Sequence, residues 1–148
     1  MEEDIEDIKE IENKMINILF LGDPNVGKYF IISYYTEGKI IKDYEPGTDI
    51  FVKKDVKVKD KNVIVELWSF GGTEIAKFKA KGILETIEGC FIVYDITNEK
   101  SFNNLDFWFD IVKNKDIPIF LLGNKTNLEK RRKVIKERGE EWAKGKKM

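Results

Sequence analysis

Short apolar runs alternate with longer amphipathic segments along most of the chain. Apolar runs closed by glycine or polar residues predict buried strands over Met15–Leu21, Cys90–Tyr94 and Ile117–Leu122. The β-rich segments Ile50–Val58 and Val63–Trp68 are separated by the turn-like Asp-Lys-Asn, so they predict a β-hairpin.

Helical segments lie between these strands. The pattern predicts helices over Lys28–Glu37, Glu74–Thr86 and Lys133–Lys146, and another over Phe102–Lys113 that Ser101 caps. Strands separated by helices of this length form a mostly parallel sheet with helices on both faces. The sequence therefore predicts an α/β fold, in which ligands bind at the carboxyl ends of the strands.

The two ends of the chain carry opposite charge. Residues 1–14 hold seven acidic side chains against two lysines, and residues 130–148 hold nine basic side chains against three acidic ones. Isoleucines at positions 5, 8 and 11 make a narrow apolar stripe. We therefore expect residues 1–14 to be an acidic, helical extension of a domain over residues 15–148. The basic end is expected to be a solvated helix rather than a lipid-binding patch.

Composition excludes several classes of function. The 148 residues include no histidine, which excludes Ser-His-Asp triads and His-ligated metal sites, and the single cysteine allows no internal disulfide. A net charge of −1 gives no indication of nucleic-acid binding. The chain has no membrane-spanning apolar run and no terminal cysteine for a lipid anchor. We expect a cytoplasmic protein that associates with membranes at most transiently.

The strongest local motif follows the first predicted strand. Its sequence, G-D-P-N-V-G-K-Y, has the spacing of a phosphate-binding loop. Glycines let such a loop wrap a phosphate with its backbone N–H groups, and the lysine adds a mobile cation. The alternative is an ordinary glycine-rich turn. The candidate nucleotide-binding residues here are Gly22, Asp23, Pro24, Asn25, Val26, Gly27, Lys28 and Tyr29.

A second motif, G-N-K-T-N over residues 123–127, follows the Ile117–Leu122 strand. Alone it is a common Asn-rich turn, but after a phosphate loop it is similar to the base-recognition N-K-x-D of guanine-nucleotide-binding proteins. Residues 91–108, F-I-V-Y-D-I-T-N-E-K-S-F-N-N-L-D-F-W, closely resemble the corresponding segment of Rab-type small GTPases in the Ras superfamily. Residues 66–74, E-L-W-S-F-G-G-T-E, are similar to their I-W-D-T-A-G-Q-E, and residues 132–143 resemble their next helix.

This resemblance implies a Ras-like P-loop nucleotide-binding fold, with its last strand and helix missing from this chain. It implies GTP and GDP as ligands, Mg²⁺ as cofactor, slow GTP hydrolysis, and effector or regulator proteins bound through residues 43–51 and 70–81. It adds to the nucleotide-binding candidates Gly72, Asn124, Lys125 and Asn127.

Several matched positions depart from the family pattern. The metal-binding positions fall on Tyr29, Ser69 and Thr48, and Thr48 matches only after a one-residue shift, because the gapless match is Gly47. The glutamine that orients the attacking water falls on Thr73, which is too short to reach that water. Asn127 replaces the aspartate that accepts two hydrogen bonds from guanine. These departures predict poor metal binding, impaired hydrolysis and weakened guanine selectivity.

Two interpretations remain open from the sequence. The chain is either a divergent Rab-like guanine-nucleotide switch with weak hydrolysis, in vesicle trafficking or signalling, or a pseudo-GTPase binding module that does not cycle nucleotide. An ATP-dependent kinase is disfavoured because nothing resembles a phosphoacceptor site or a lid.

Overall fold

A computed structural model describes residues 14–148 except positions 42, 46 and 72, with only the backbone described at 73–75. Strands and helices alternate along these residues. The strands are β1 (Lys14–Leu21), β2 (Ile50–Val58), β3 (Lys61–Ser69), β4 (Gly89–Asp95) and β5 (Ile119–Asn124). The helices are α1 (Lys28–Glu37), α2 (Thr73–Ile83), α3 (Glu99–Asn103), α4 (Leu105–Val112) and α5 (Lys136–Gly145), and a 3₁₀ helix spans Thr126–Arg131.

The five strands form one sheet in the order β2-β3-β1-β4-β5. Strand β1 pairs in parallel with β3 and β4, and β4 pairs in parallel with β5. Only β2 runs antiparallel, as the predicted hairpin partner of β3. The prediction of an α/β fold with a mostly parallel sheet is confirmed.

Two predicted helices are longer than the observed ones. The prediction over Glu74–Thr86 is wrong at its end because α2 stops at Ile83, whose carbonyl accepts bonds from the N–H and hydroxyl of Thr86. The prediction over Lys133–Lys146 is wrong at its start, since α5 begins at Lys136. The backbone N–H groups of residues 133 and 134 donate to the carbonyl of Ile96 instead, at 2.8 and 3.0 Å.

The predicted Ser101 cap is also wrong. Asn98 caps α3, and its side chain accepts hydrogen bonds from the backbone N–H groups of residues 100 and 101. The helix is then interrupted at Asn104, so two helices replace the single predicted one. The buried Ser101 hydroxyl instead accepts from the N–H of Asp95 at 2.9 Å, which joins α3 to the end of β4.

Strand β5 lies two residues later than predicted. It begins at Ile119 because the preceding Pro118 has no N–H for the ladder, although the Pro118 carbonyl still accepts from the N–H of Cys90 at 3.0 Å. It continues to Asn124, so the end of the strand delivers the G-N-K-T-N motif to the carboxyl edge of the sheet.

The sheet separates two apolar clusters. One face packs against α2, α4 and α5 and contains the fully buried Trp108 and Leu105. The other face packs against α1 through Ile32 and against the loop before α1 through Val26. Within the described ranges, α1 is the one helix that belongs to this second cluster.

The expected N-terminal helix lies outside the described residues, apart from Lys14, which belongs to β1 rather than to an extension. No helix in the described part of the chain has the length and apolarity needed to cross a bilayer.

Candidate functional site

The loop between β1 and α1 requires glycine at both of its ends. At Gly22 φ is 143°, and a Cβ there would lie 2.3 Å from the carbonyl oxygen of Val93. At Gly27 φ is 98°, and a Cβ would lie 2.3 Å from the side-chain nitrogen of Asn124. Both conformations are ones that L side chains rarely adopt. The chain therefore makes a glycine-dependent turn here, directly before the N-terminus of α1.

Lys28 points back into this loop. Its ammonium donates to the carbonyl oxygens of Gly22 and of Asp23, the latter at 3.1 Å. Burial lowers its pKa from 10.5 to about 8, and the charge of Asp23 opposes part of that shift. An ammonium held in a buried loop at a helix N-terminus is suited to binding an anion.

Asp23 is held by two side chains that the sequence analysis did not identify. Its carboxylate accepts from the side-chain amide of Asn104 and from the indole N–H of Trp108, both at 2.7 Å. Asn104 is the break between α3 and α4, and Trp108 is buried on α4. The signal that would identify both is their place in the N-x-x-x-W of the Rab-like segment. The two bonds anchor the phosphate loop to the helical layer.

The G-N-K-T-N motif is bonded to the same loop. The side-chain amide of Asn124 donates to the carbonyl of Val26 at 2.9 Å. The Lys125 ammonium bridges the carbonyl of Asn25 at 2.7 Å and the carboxylate of Asp95 at 2.9 Å. Burial acts to raise the pKa of Asp95, but hydrogen bonds from Thr97 and the Lys125 charge outweigh it, so that the pKa is lowered. Two motifs about 100 residues apart thus form one site.

Two cavities adjoin this loop. The first, about 430 Å³, is lined by Gly27, Phe30, Ile31, Tyr34, Ile40, Asn124, Lys125 and Asn127. The second, about 280 Å³, is lined by Asn25, Gly27, Lys28, Tyr29, Phe30, Tyr44 and Lys125. The first contains the base-recognition candidates and the second the phosphate-loop lysine. Phe30 and Tyr34 are further candidate residues that the sequence analysis missed; the available signal was their i, i+4 spacing on α1.

The chain is similar in sequence to known proteins of one family. Residues 17–148 match the model of the Ras family. The chain is 34% identical over 132 residues to the Ypt/Rab-type GTPase ypt7 of Schizosaccharomyces pombe, covering 82% of this chain and 63% of ypt7. It is 32% identical to the Ras-related protein Rab-7b of Paramecium octaurelia, covering 90% of this chain and 68% of that protein.

This chain is a Rab-type member of the Ras family. The Ras-related protein Rab-28 of Caenorhabditis elegans is another relative, 33% identical, with 96% of this chain and 60% of Rab-28 covered. The chain therefore spans about two thirds of the length of these Rab relatives.

The Rab-type metal positions Tyr29, Thr48 and Ser69 carry no carboxylate in this chain. The ring of Tyr29 stacks on Tyr44, with centroids 4.3 Å apart and planes within 14°. The Thr48 hydroxyl is exposed and donates to the carbonyl of Glu45 at 2.8 Å. Ser69, at the end of β3, is buried and offers a neutral hydroxyl where Mg²⁺ prefers a carboxylate. Across the described ranges, no three Asp, Glu, Cys or His side chains cluster as metal ligands. These residues do not fit a magnesium ion.

Protein contacts join the two Rab-type partner segments. The Asp49 carboxylate accepts from the N–H of Gly71 at 3.0 Å and pairs with Lys79. The hydrogen bond from Lys79 is the main cause of the lowered pKa of Asp49. The backbones also touch, because a Cβ on Gly71 would lie 1.9 Å from the carbonyl oxygen of Gly47. Of the remaining candidates, Gly72 and the side chain of Thr73 lie outside the described residues, and Pro24 is exposed on the loop.

Proposed function

We propose that this chain binds guanine nucleotides at the β1–α1 loop, with little dependence on Mg²⁺ and with impaired GTP hydrolysis. One observation carries the proposal: Lys28 lies inside the glycine-bounded loop, and Asn124 and Lys125 both donate hydrogen bonds to that same loop. The two cavities beside these residues and the charges of Lys28 and Lys125 support a phosphate end and a base end of one nucleotide site.

The phosphate end of the proposal rests on the loop and Lys28. A diphosphate oxygen would replace the carbonyls of Gly22 and Asp23 as the acceptor of the Lys28 ammonium. The ammonium is charged in both cases, but a phosphate oxygen carries a full opposite charge where a carbonyl oxygen carries only a dipole, so its attraction to the ammonium is stronger. The buried ammonium would therefore gain more from phosphate than from its present partners, without a metal ion.

The base end rests on the cavity of about 430 Å³ beside Asn124, Lys125 and Asn127. The stem of Lys125 would cover one side of a purine, and the amide of Asn127 would face its polar edge. An amide offers one acceptor, whereas the aspartate of N-K-x-D offers two to guanine. We therefore expect guanine to bind with reduced selectivity over other purines.

Calorimetric titration of GDP and GTP, each with Mg²⁺ and with a chelator, tests the proposal. We expect binding whose affinity changes less than about threefold on chelation, and a single-turnover hydrolysis rate no higher than the uncatalysed rate with Mg²⁺. Lys28→Met is the control for the phosphate end and should abolish the heat. Absence of heat from every purine nucleotide would refute the proposal, and strong dependence on Mg²⁺ would refute its metal-independent part.

A second candidate function is a pseudo-GTPase module that keeps the partner surface without nucleotide cycling. The Tyr29–Tyr44 stack favours it, because it ties the first partner segment (residues 43–51) to α1 by protein contacts alone. Phe30 adds an edge contact to Tyr44 at 6.0 Å. In a nucleotide switch of the Rab type, the metal ion and the phosphate would hold this segment in place instead.

Hydrogen exchange of residues 43–51 separates the two functions. A switch predicts that GTP and GDP protect these amides differently, whereas a pseudo-GTPase predicts equal protection with and without nucleotide. Tyr44→Ala should remove the protection in the pseudo-GTPase case. Phe51→Ala, in the same segment but outside the stack, is the matched control.

The partner surface in either case would be apolar. Phe51 is 46% exposed and lies 4.1 Å from Trp68, centroid to centroid, and Phe78 on α2 is 79% exposed. Exposed aromatic clusters of this kind are typical of protein-binding surfaces. We propose that effector or regulator proteins bind here through residues 43–51 and 70–81, in vesicle trafficking or signalling, with the chain in the cytoplasm and at most transiently on membranes.

A further inference from the structure

The Asp23 carboxylate lies near Lys28 but does not pair with it. The Lys28 ammonium donates to the backbone carbonyl of Asp23 at 3.1 Å. Burial lowers the pKa of Lys28 and the carboxylate charge opposes part of that shift, so the two side chains are close enough to interact. In the part of the chain that the structure describes, no ion pair joins them, and the ammonium is bonded only to neutral carbonyls.

Two side chains of the helical layer account for this separation. The side-chain amide of Asn104 donates to Oδ2 of Asp23, and the indole N–H of Trp108 donates to Oδ1, both at 2.7 Å. Each carboxylate oxygen thus has its own donor at a short distance. The two donors are four residues apart at the start of α4, which places them on the same side of the chain. The Trp108 ring also lies 5.8 Å from the Lys28 ammonium, so it is adjacent to both charges.

We propose that Asn104 and Trp108 are positioning residues for nucleotide binding, which hold the Asp23 carboxylate away from Lys28 and so keep the ammonium available to a phosphate. The inference rests on the function proposed above for the β1–α1 loop. It gives the N-x-x-x-W of the sequence a role in the phosphate end of the site, in addition to its role as an anchor of the loop.

The reason is a competition for the Lys28 ammonium. The ammonium already contacts the backbone of Asp23, so a change of the Asp23 side-chain rotamer would bring the carboxylate to it once the two donors are lost. An opposite charge is a stronger partner for an ammonium than a backbone carbonyl is. A phosphate would then have to displace an ion pair, and it would meet a carboxylate close to its own oxygens. Loss of either donor should therefore weaken phosphate binding through Asp23.

A double-mutant cycle between Asn104 and Asp23 tests the proposal. GDP affinity is measured by calorimetry with Mg²⁺ present, so that the result does not depend on the metal-independent part of the proposed function. Asn104→Ala should raise the Kd for GDP about tenfold, because the freed carboxylate competes for the ammonium. In an Asp23→Ala background, which has no carboxylate to release, the same substitution should change the Kd by less than about twofold.

Two further variants complete the cycle. Trp108→Phe removes the other donor and should also raise the Kd for GDP in the wild-type background but not in the Asp23→Ala background. Asn103→Ala is the matched control, since Asn103 is the exposed neighbour of Asn104 at the end of α3. It should leave the Kd unchanged in both backgrounds.

The outcomes separate this inference from the proposed function. An unchanged Kd for Asn104→Ala would overturn the inference, and so would an equal loss of affinity with and without Asp23, which is what a structural role alone predicts. Either result would leave nucleotide binding by the wild-type chain intact. A wild-type chain that binds no GDP would refute the proposed function, and this inference with it.

Discussion

The buried ammonium of Lys28 makes the free energy of unfolding depend on pH. A variant without this charge should lack that dependence. Burial lowers the pKa of Lys28 from 10.5 to about 8 despite the nearby charge of Asp23. Each pKa unit corresponds to about 1.4 kcal/mol. The folded chain therefore gives up about 3 kcal/mol of stability to hold this lysine charged.

The sign follows from which state binds the proton. The unfolded chain keeps the proton on Lys28 up to about pH 10.5, whereas the folded chain releases it near pH 8. Between these values the unfolded chain binds more protons, so the free energy of unfolding rises with pH. The penalty is fully present below pH 8 and is relieved as the pH approaches 10.5.

Lys28→Met keeps the unbranched side chain apart from its terminal nitrogen and removes its charge. At pH 7 the variant avoids the penalty of about 3 kcal/mol but loses the bonds to the carbonyls of Gly22 and Asp23, worth about 1 kcal/mol each. We expect the variant to be more stable than the wild type by about 1 kcal/mol at pH 7. Near pH 10 the order should reverse, because most of the wild type's penalty is then relieved and its two hydrogen bonds remain.

Urea denaturation of both chains, followed by tryptophan fluorescence at pH 7, 8, 9 and 10, measures this difference. Other lysines and tyrosines titrate equally in both chains and cancel. Parallel stability curves over the whole range would refute the account of a buried, charged lysine in the loop.

Three further predictions follow from individual contacts. Trp108→Phe removes a donor from the Asp23 carboxylate and should lower the free energy of unfolding by about 2–3 kcal/mol. Trp142→Phe removes a more exposed hydrogen bond and should lower it by under about 1 kcal/mol. Equal losses in denaturant titrations would contradict the anchoring role of Trp108. Asn127→Asp should tighten GDP binding about 10- to 100-fold, and an unchanged Kd would mean that the base lies elsewhere. The thiol of Cys90, whose pKa burial raises, should react with a thiol reagent only on unfolding; rapid labelling of the native chain would show that it is accessible.

The sequence predicted the elements whose local pattern of apolar and polar residues matches their packing in the folded chain. Continuous apolar runs identify the central strands, and the turn-like residues between β2 and β3 identify the hairpin. Two helix starts were wrong because a group close to each one bonds to a residue outside its own helix. Ser101 bonds to the end of β4, and the residues before α5 donate to Ile96. Local spacing does not contain these partners.

The motifs of the candidate site could be predicted from the sequence, but the side chains that hold the loop in place could not. The spacing of Gly22, Gly27 and Lys28 depends on local backbone geometry, so the sequence predicted the turn at this position. Trp108 reaches Asp23 across 85 positions of sequence, and no local pattern indicates that bond. The Tyr29–Tyr44 stack was missed for a related reason. The sequence predicted that Tyr29 is a poor metal ligand, but only the folded structure shows that its ring stacks on Tyr44.

The central claim is that the amides of the β1–α1 loop hold a diphosphate without a metal ion. The most direct measurement is an amide chemical-shift titration of the isotope-labelled chain with GDP in the presence of a chelator. The account predicts saturable shifts largest at residues 25–28, with smaller ones at 124–127, and none in the Lys28→Met variant. Shifts that are absent, or that fall outside these two segments, would contradict it.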